Sequence, residues 1–118
     1  MLARAGLFKT MFFPHIIDDE FIAAIVGHVT ESIRSLDLSG LRRRKAQTLI
    51  EATACQAIAE MWTAAYGREY RPTRLWPNAT AILIDNPRRC VLELWIGHDY
   101  HNSELPDPIE IMLDGVHE

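Results

Sequence analysis

The residues best suited to chemistry lie in one polar stretch, 98–104, with the sequence HDYHNSE. Imidazole and carboxylate groups are common ligands of zinc, manganese and iron, so His98, Asp99 and His101 form a candidate metal site. A loop, however, does not fix the geometry of ligands at this spacing, and a solvated polar loop explains the same residues. A metal-dependent hydrolase is therefore kept as an alternative function, and no cofactor is expected.

A second pair of acids could hold magnesium, as carboxylates on neighbouring strands do in many nucleases. Asp85 and Glu93 belong to two neighbouring predicted strands. No lysine follows Glu93 in the chain, so a group that could orient water or stabilise charge is missing. The alternative is that Asp85 forms a turn by hydrogen bonding to the backbone near Pro87.

Four consecutive basic residues, Arg42, Arg43, Arg44 and Lys45, open the second predicted helix. Cations at this position oppose the positive end of the helix dipole, so we expect an anion near them. Nucleic-acid phosphate is one candidate, and carboxylates of the same chain or of another subunit are the other. The net charge of −4 argues against a dedicated nucleic-acid binder, which leaves that function as a second alternative.

Charge is distributed unevenly along the chain. Residues 34–89 contain ten Lys and Arg against five Asp and Glu, whereas residues 90–118 contain seven Asp and Glu and no Lys or Arg. An acidic surface attracts a basic partner. We therefore expect a small non-enzymatic interaction protein, of the inhibitor, immunity or anti-defence type, that occupies a basic site on another protein. The predicted partner-binding residues are Glu93, Asp99, Tyr100, Glu104 and Asp107.

Composition limits the remaining possibilities. The 118 residues are 48% hydrophobic and 24% charged, as expected for one folded domain covering 1–118. The apolar runs are shorter than the roughly 20 residues needed to cross a bilayer, so no membrane segment is expected. Cys55 and Cys90 are too far apart and too few for a disulfide framework, which favours a cytoplasmic protein. A homo-oligomer that joins the basic middle of one copy to the acidic end of another is a further alternative.

Two helices must position the basic residues. Apolar residues recur at three- and four-residue steps over 22–36 and again over 41–66, which predicts two amphipathic helices. In the second helix this pattern places Glu51 among the outward-facing residues. The connection between the helices is short, so we expect them to be antiparallel neighbours.

A small sheet must position the acidic residues. Apolar residues predict strands over 79–85, 90–97 and 109–113, with clear alternation in the second, and residues 1–13 predict a fourth strand. The expected fold is α+β with the order (β)ααβββ. In this fold the antiparallel helical pair packs on one face of a three- to four-stranded antiparallel sheet.

Overall fold

The computed structural model describes residues 19–66, 78–95 and 106–117. The described elements are two helices followed by three strands: α1 Asp19–Arg34, α2 Arg43–Tyr66, β1 Asn78–Leu83, β2 Arg89–Trp95 and β3 Ile109–Met112. The predicted α+β class and the order ααβββ are confirmed. The strand predicted for residues 1–13 lies outside the described residues, and the single-domain assignment stays a prediction.

Helix α1 begins with two acids, Asp19 and Glu20, which are favourable at the positive end of a helix. Its buried residues, Ile25, Val29 and Ile33, follow one another at four-residue steps. This spacing aligns them in one stripe along the helix, and the stripe joins the hydrophobic core. The amphipathic pattern of the sequence therefore gives the orientation of α1 directly.

The two helices are antiparallel, as predicted. The rings of Phe21, near the start of α1, and Trp62, near the end of α2, have centroids 5.9 Å apart. Two turns further along α1, His28 Nε2 lies 3.1 Å from Oε1 of Glu60, which precedes Trp62 by two residues in α2. The start of α1 thus lies beside the end of α2, as a short connection between neighbouring helices requires.

The sheet has the order β1-β2-β3, and both strand pairs are antiparallel. Ala81 is opposite Leu92, and Cys90 is opposite Ile111. Helix α2 contacts β1. The face toward the helices contributes these residues to the core: Ala79, Ala81, Cys90, Leu92, Leu94 and Ile111.

The residues after β3 return to the start of α2. The backbone N–H of His117 donates to the carbonyl of Leu41 over 2.8 Å, and the carbonyl of His117 accepts from the N–H of Arg43 over 2.7 Å. These bonds place Arg42 in a parallel β-bridge with His117, and α2 begins at Arg43, two residues later than predicted. Within the described residues, neither helix combines the length and apolar character needed to cross a membrane.

Candidate functional site

The sheet presents one face that neither helix covers, which we call the open face. Paired residues in a sheet project to the same side, so the register assigns this face without ambiguity. Its members are Thr80 and Ile82 from β1, Arg89, Val91, Glu93 and Trp95 from β2, and Glu110 and Met112 from β3.

Large apolar side chains are exposed on the open face. Among the described residues, the exposed large hydrophobic side chains are Ile82 at 39%, Trp95 at 40% and Met112 at 54% of their surface, and all three lie here. Val91 lies between them, opposite Ile82, and is half-buried. Single exposed apolar residues are common, but several on one face indicate an interaction surface.

Carboxylates lie among these apolar residues, because Glu93 comes between Val91 and Trp95 on the central strand β2. Glu93 lies on β2 opposite Thr80, is half-buried, and makes no ion pair with a described residue. Glu110 on β3 lies 3.0 Å from the guanidinium of Arg89, so this acid of the carboxyl-terminal third is paired with an arginine of the basic middle. With two carboxylates and one guanidinium, the described part of the open face has a negative balance.

Among the other predicted partner-binding residues, Asp107 is exposed two positions before β3 begins. Asp99, Tyr100 and Glu104 lie outside the described residues, so their part in binding stays a prediction.

The predicted metal ligands His98, Asp99 and His101 also lie outside the described residues. Within residues 19–66, 78–95 and 106–117, no three His, Cys, Asp or Glu side chains are grouped so that they could hold a metal ion.

The structure does not bring Asp85 and Glu93 together. Glu93 is opposite Thr80, whereas Asp85 lies in the turn after β1, five positions further along the chain. At about 3.3 Å per residue, this separates the two positions by roughly 16 Å. The proposed magnesium pair is therefore wrong. The turn is instead stabilised by Asn86, whose side-chain oxygen accepts a hydrogen bond of 2.9 Å from the N–H of Arg88.

The four basic residues at the start of α2 do not act as one group. The guanidinium of Arg43 donates hydrogen bonds to the backbone carbonyls of Ile84 and Asn86, in the turn between β1 and β2. Arg44 and Lys45 are exposed, as is Arg42, whose backbone pairs with the tail residue His117. Arg43 thus donates to two carbonyl oxygens, and anion binding by Arg42, Arg43, Arg44 and Lys45 stays a prediction.

Polar side chains of α2 form a row that the sequence analysis did not predict. The Gln47 amide donates to the carbonyl of Ala81 over 2.7 Å, and Glu51 accepts from the N–H of the same residue over 3.0 Å. Cys55 Sγ lies 4.0 Å from the carbonyl of Ala79. The outward orientation expected for Glu51 is therefore wrong. The available signal was the four-residue spacing of Arg43, Gln47, Glu51 and Cys55, which places them on one side of a helix.

Neither cysteine has the environment of a reactive thiol. Burial raises the pKa of Cys90, and the nearby Arg43 only partly opposes this effect. Burial also raises the pKa of Cys55, against the lowering effect of its hydrogen bond to Ala79. Because the thiolate is the nucleophile, a raised pKa disfavours catalysis by either residue.

No family model matches the chain, and no curated protein and no solved structure matches it. The open face and the residues around it are therefore the features from which a function can be inferred.

Proposed function

We propose that this protein is a small non-enzymatic interaction module that binds another protein through the open face of its sheet. The partner surface combines apolar and basic residues, and binding of the inhibitor, immunity or anti-defence type consists of covering that surface. The observation that carries the proposal is the coincidence of exposed Ile82, Trp95 and Met112 with the carboxylates of Glu93 and Glu110 on one face.

The apolar and the acidic residues of the open face have separate physical roles in binding. Tryptophan is enriched among the residues that dominate binding energy, because it buries a large rigid surface. Carboxylates among the apolar residues select a partner with Lys and Arg and accelerate its association. Glu93 fits this role best, because Glu110 is already paired with Arg89 while Glu93 has no ion pair among the described residues.

The proposed compartment is the cytoplasm. Both cysteines are thiols rather than a disulfide, and the raised pKa of Cys90 suits a structural residue in a reducing environment.

The test is capture of the partner from the native host at low salt, with both protein and nucleic acid identified. Wild type, Trp95→Ala, Glu93→Lys and Lys45→Ala are compared after their thermal unfolding has shown that each is folded. We expect a protein that wild type and Lys45→Ala retain and that the two open-face variants lose. Lys45 is the matched control because it is exposed and lies on α2, away from the open face.

The affinity for the captured protein is then measured with purified components. Trp95→Ala should weaken binding by at least about 30-fold, as expected for a hot spot. Glu93→Lys should slow association and reduce its dependence on salt. Unchanged affinity in both variants contradicts the proposal. Capture of nucleic acid that is lost in Lys45→Ala favours the nucleic-acid alternative instead.

A further inference from the structure

Glu93 and Trp95 form a pair at one end of the open face. They are two residues apart on β2, so their side chains project to the same side, about 7 Å from each other along the strand. Trp95 is the last residue of β2 and has 40% of its surface exposed. Glu93 is half-buried, and its carboxylate has no partner among the described residues. A carboxylate that is partly removed from water is stabilised by a cation.

Thr80 adds a hydroxyl group to this pair. It lies opposite Glu93 on β1 and is exposed. Its hydroxyl makes no hydrogen bond with any residue of 19–66, 78–95 and 106–117. A carboxylate, a hydroxyl and an exposed indole are thus neighbours on one face, and the two oxygen-bearing groups are both acceptors of hydrogen bonds.

The cations of the described fold are at the opposite end of the molecule. Helix α2 begins beside Ile84, which follows β1, and its later residue Cys55 reaches Ala79 near the start of that strand. Strand β2 ends at Trp95, beside the start of β1 and therefore far from the start of α2. The described Lys and Arg residues all lie near the start of α2: Arg34, Arg42, Arg43, Arg44, Lys45, Arg88 and Arg89. Glu93 thus has no described lysine or arginine beside it.

We propose that Glu93 and Trp95 bind an arginine side chain of the partner protein, with the guanidinium stacked on the indole and hydrogen-bonded to the carboxylate. This inference rests on the proposed function and names the group that the open face recognises. Arginine fits better than lysine, because its planar guanidinium stacks on an aromatic ring and has donors for both Glu93 and Thr80. Val91 and Ile82, which are opposite each other, receive an apolar side chain two residues from that arginine.

Binding of short peptides to the wild-type protein tests the proposal. The readout is the NMR signal of the Trp95 indole N–H, which is assigned by its loss in Trp95→Phe. The probe is acetyl-Leu-Ser-Arg-Ser-Leu-amide, which has an apolar side chain two residues from the arginine in either direction. The matched control peptide has citrulline, an uncharged isostere, in place of arginine. We expect a millimolar Kd for the arginine peptide and at least about tenfold weaker binding of the citrulline peptide.

Two results with these peptides overturn the proposal. One is equal affinity for the arginine and citrulline peptides. The other is the absence of binding of the arginine peptide at about 10 mM, where even a weak specific contact is detected. The second result includes the case in which an arginine of the same chain already fills the site, since Arg68, Arg71 and Arg74 lie outside the described residues.

Variants assign the recognition to the two side chains. Glu93→Gln removes the charge and should weaken binding of the arginine peptide by at least about tenfold. Glu110→Gln is the matched control, because Glu110 is on the same face but is exposed and paired with Arg89, and it should change the Kd by less than about threefold. Trp95→Leu keeps an apolar side chain without the ring and should weaken binding by at least about threefold. Equal effects of the two glutamine variants overturn the proposal.

Failure of this inference differs from failure of the proposed function. If Trp95→Ala and Glu93→Lys lose the captured protein but the arginine and citrulline peptides bind equally, only the arginine inference fails. If these variants capture everything that wild type captures, the proposed function fails. A preference for the arginine peptide that depends on Glu93 would in that case still support recognition of arginine at this site.

Discussion

Glu51 accepts a hydrogen bond of 3.0 Å from the backbone N–H of Ala81, so a helix side chain takes the place of a neighbouring strand. Gln47, one turn earlier, completes the pairing by donating to the carbonyl of the same residue. An unpaired strand edge invites aggregation, and covering it with a helix is one way in which proteins avoid this. The helix and the sheet are thus joined by polar bonds as well as by the core.

Loss of Glu51 should destabilise the fold. Glu51→Ala leaves the N–H of Ala81 without its acceptor and should lower the free energy of unfolding by about 1–3 kcal/mol. Glu51→Gln retains an acceptor oxygen and should lose less. The control is Glu60→Ala, which removes only an exposed pair with His28 and should cost less than about 1 kcal/mol. Urea unfolding measures the free energy of unfolding of all three variants. Equal losses of this free energy in Glu51→Ala and Glu60→Ala would show that the hydrogen bond from Ala81 to Glu51 contributes little.

Arg43 and Arg44 should differ sharply although they are neighbours of the same type. Arg43→Ala removes the donors to Ile84 and Asn86, and we expect a loss of about 1–3 kcal/mol in unfolding free energy. Arg44→Ala removes an exposed cation near the positive end of α2, and its effect should stay within about 0.5 kcal/mol. Chemical unfolding of both variants checks this, and an equal effect would show that the contacts with the turn contribute little.

Replacement by alanine should change the stability of the fold in opposite directions at two glycines, Gly115 and Gly27. Gly115 has φ of 76°, and a Cβ built there lies 2.9 Å from Cβ of Ser39, so Gly115→Ala should destabilise the fold by at least about 1 kcal/mol. A Cβ at Gly27 in α1 meets nothing within 4 Å, so Gly27→Ala should stabilise it by about 0.5–1 kcal/mol. Thermal unfolding distinguishes the two. Similar melting temperatures would contradict the packing of residue 115 on Ser39.

Acid should weaken the connection between the helices. The hydroxyl of Ser39 and then its backbone N–H hydrogen-bond the Asp37 carboxylate and lower its pKa below the ordinary value of 3.8. Because the folded pKa lies below the unfolded one, this contribution to stability is present above the unfolded pKa and is lost as pH falls through the folded pKa. Ser39→Ala should raise the pKa of Asp37 in an NMR titration. An unchanged pKa would mean that the hydroxyl bond does not form.

The positions of charged residues along the chain do not identify their partners in the folded protein. The acidic end does pair with the basic middle, but only the pair Arg89 and Glu110 is an ion pair between described residues of these two segments. Arg43 donates to carbonyl oxygens instead, which no count of acids and bases reveals. Side-chain partners depend on which backbone groups remain unpaired, and that depends on the packed arrangement of helix and sheet.

The sequence by itself determined the two helices, the three strands, and the apolar side of the helices and of β2, because periods of 3.6 and 2 are local properties of the chain. It also determined the antiparallel helix pair through the shortness of the connection. Only the tertiary structure decided that Glu51 faces β1, that Asp85 and Glu93 lie apart, and that Ile82, Trp95 and Met112 share the open face. The physical reason is register: it is set by the turn and by packing between distant segments, and one residue of slip exchanges the two faces of a strand.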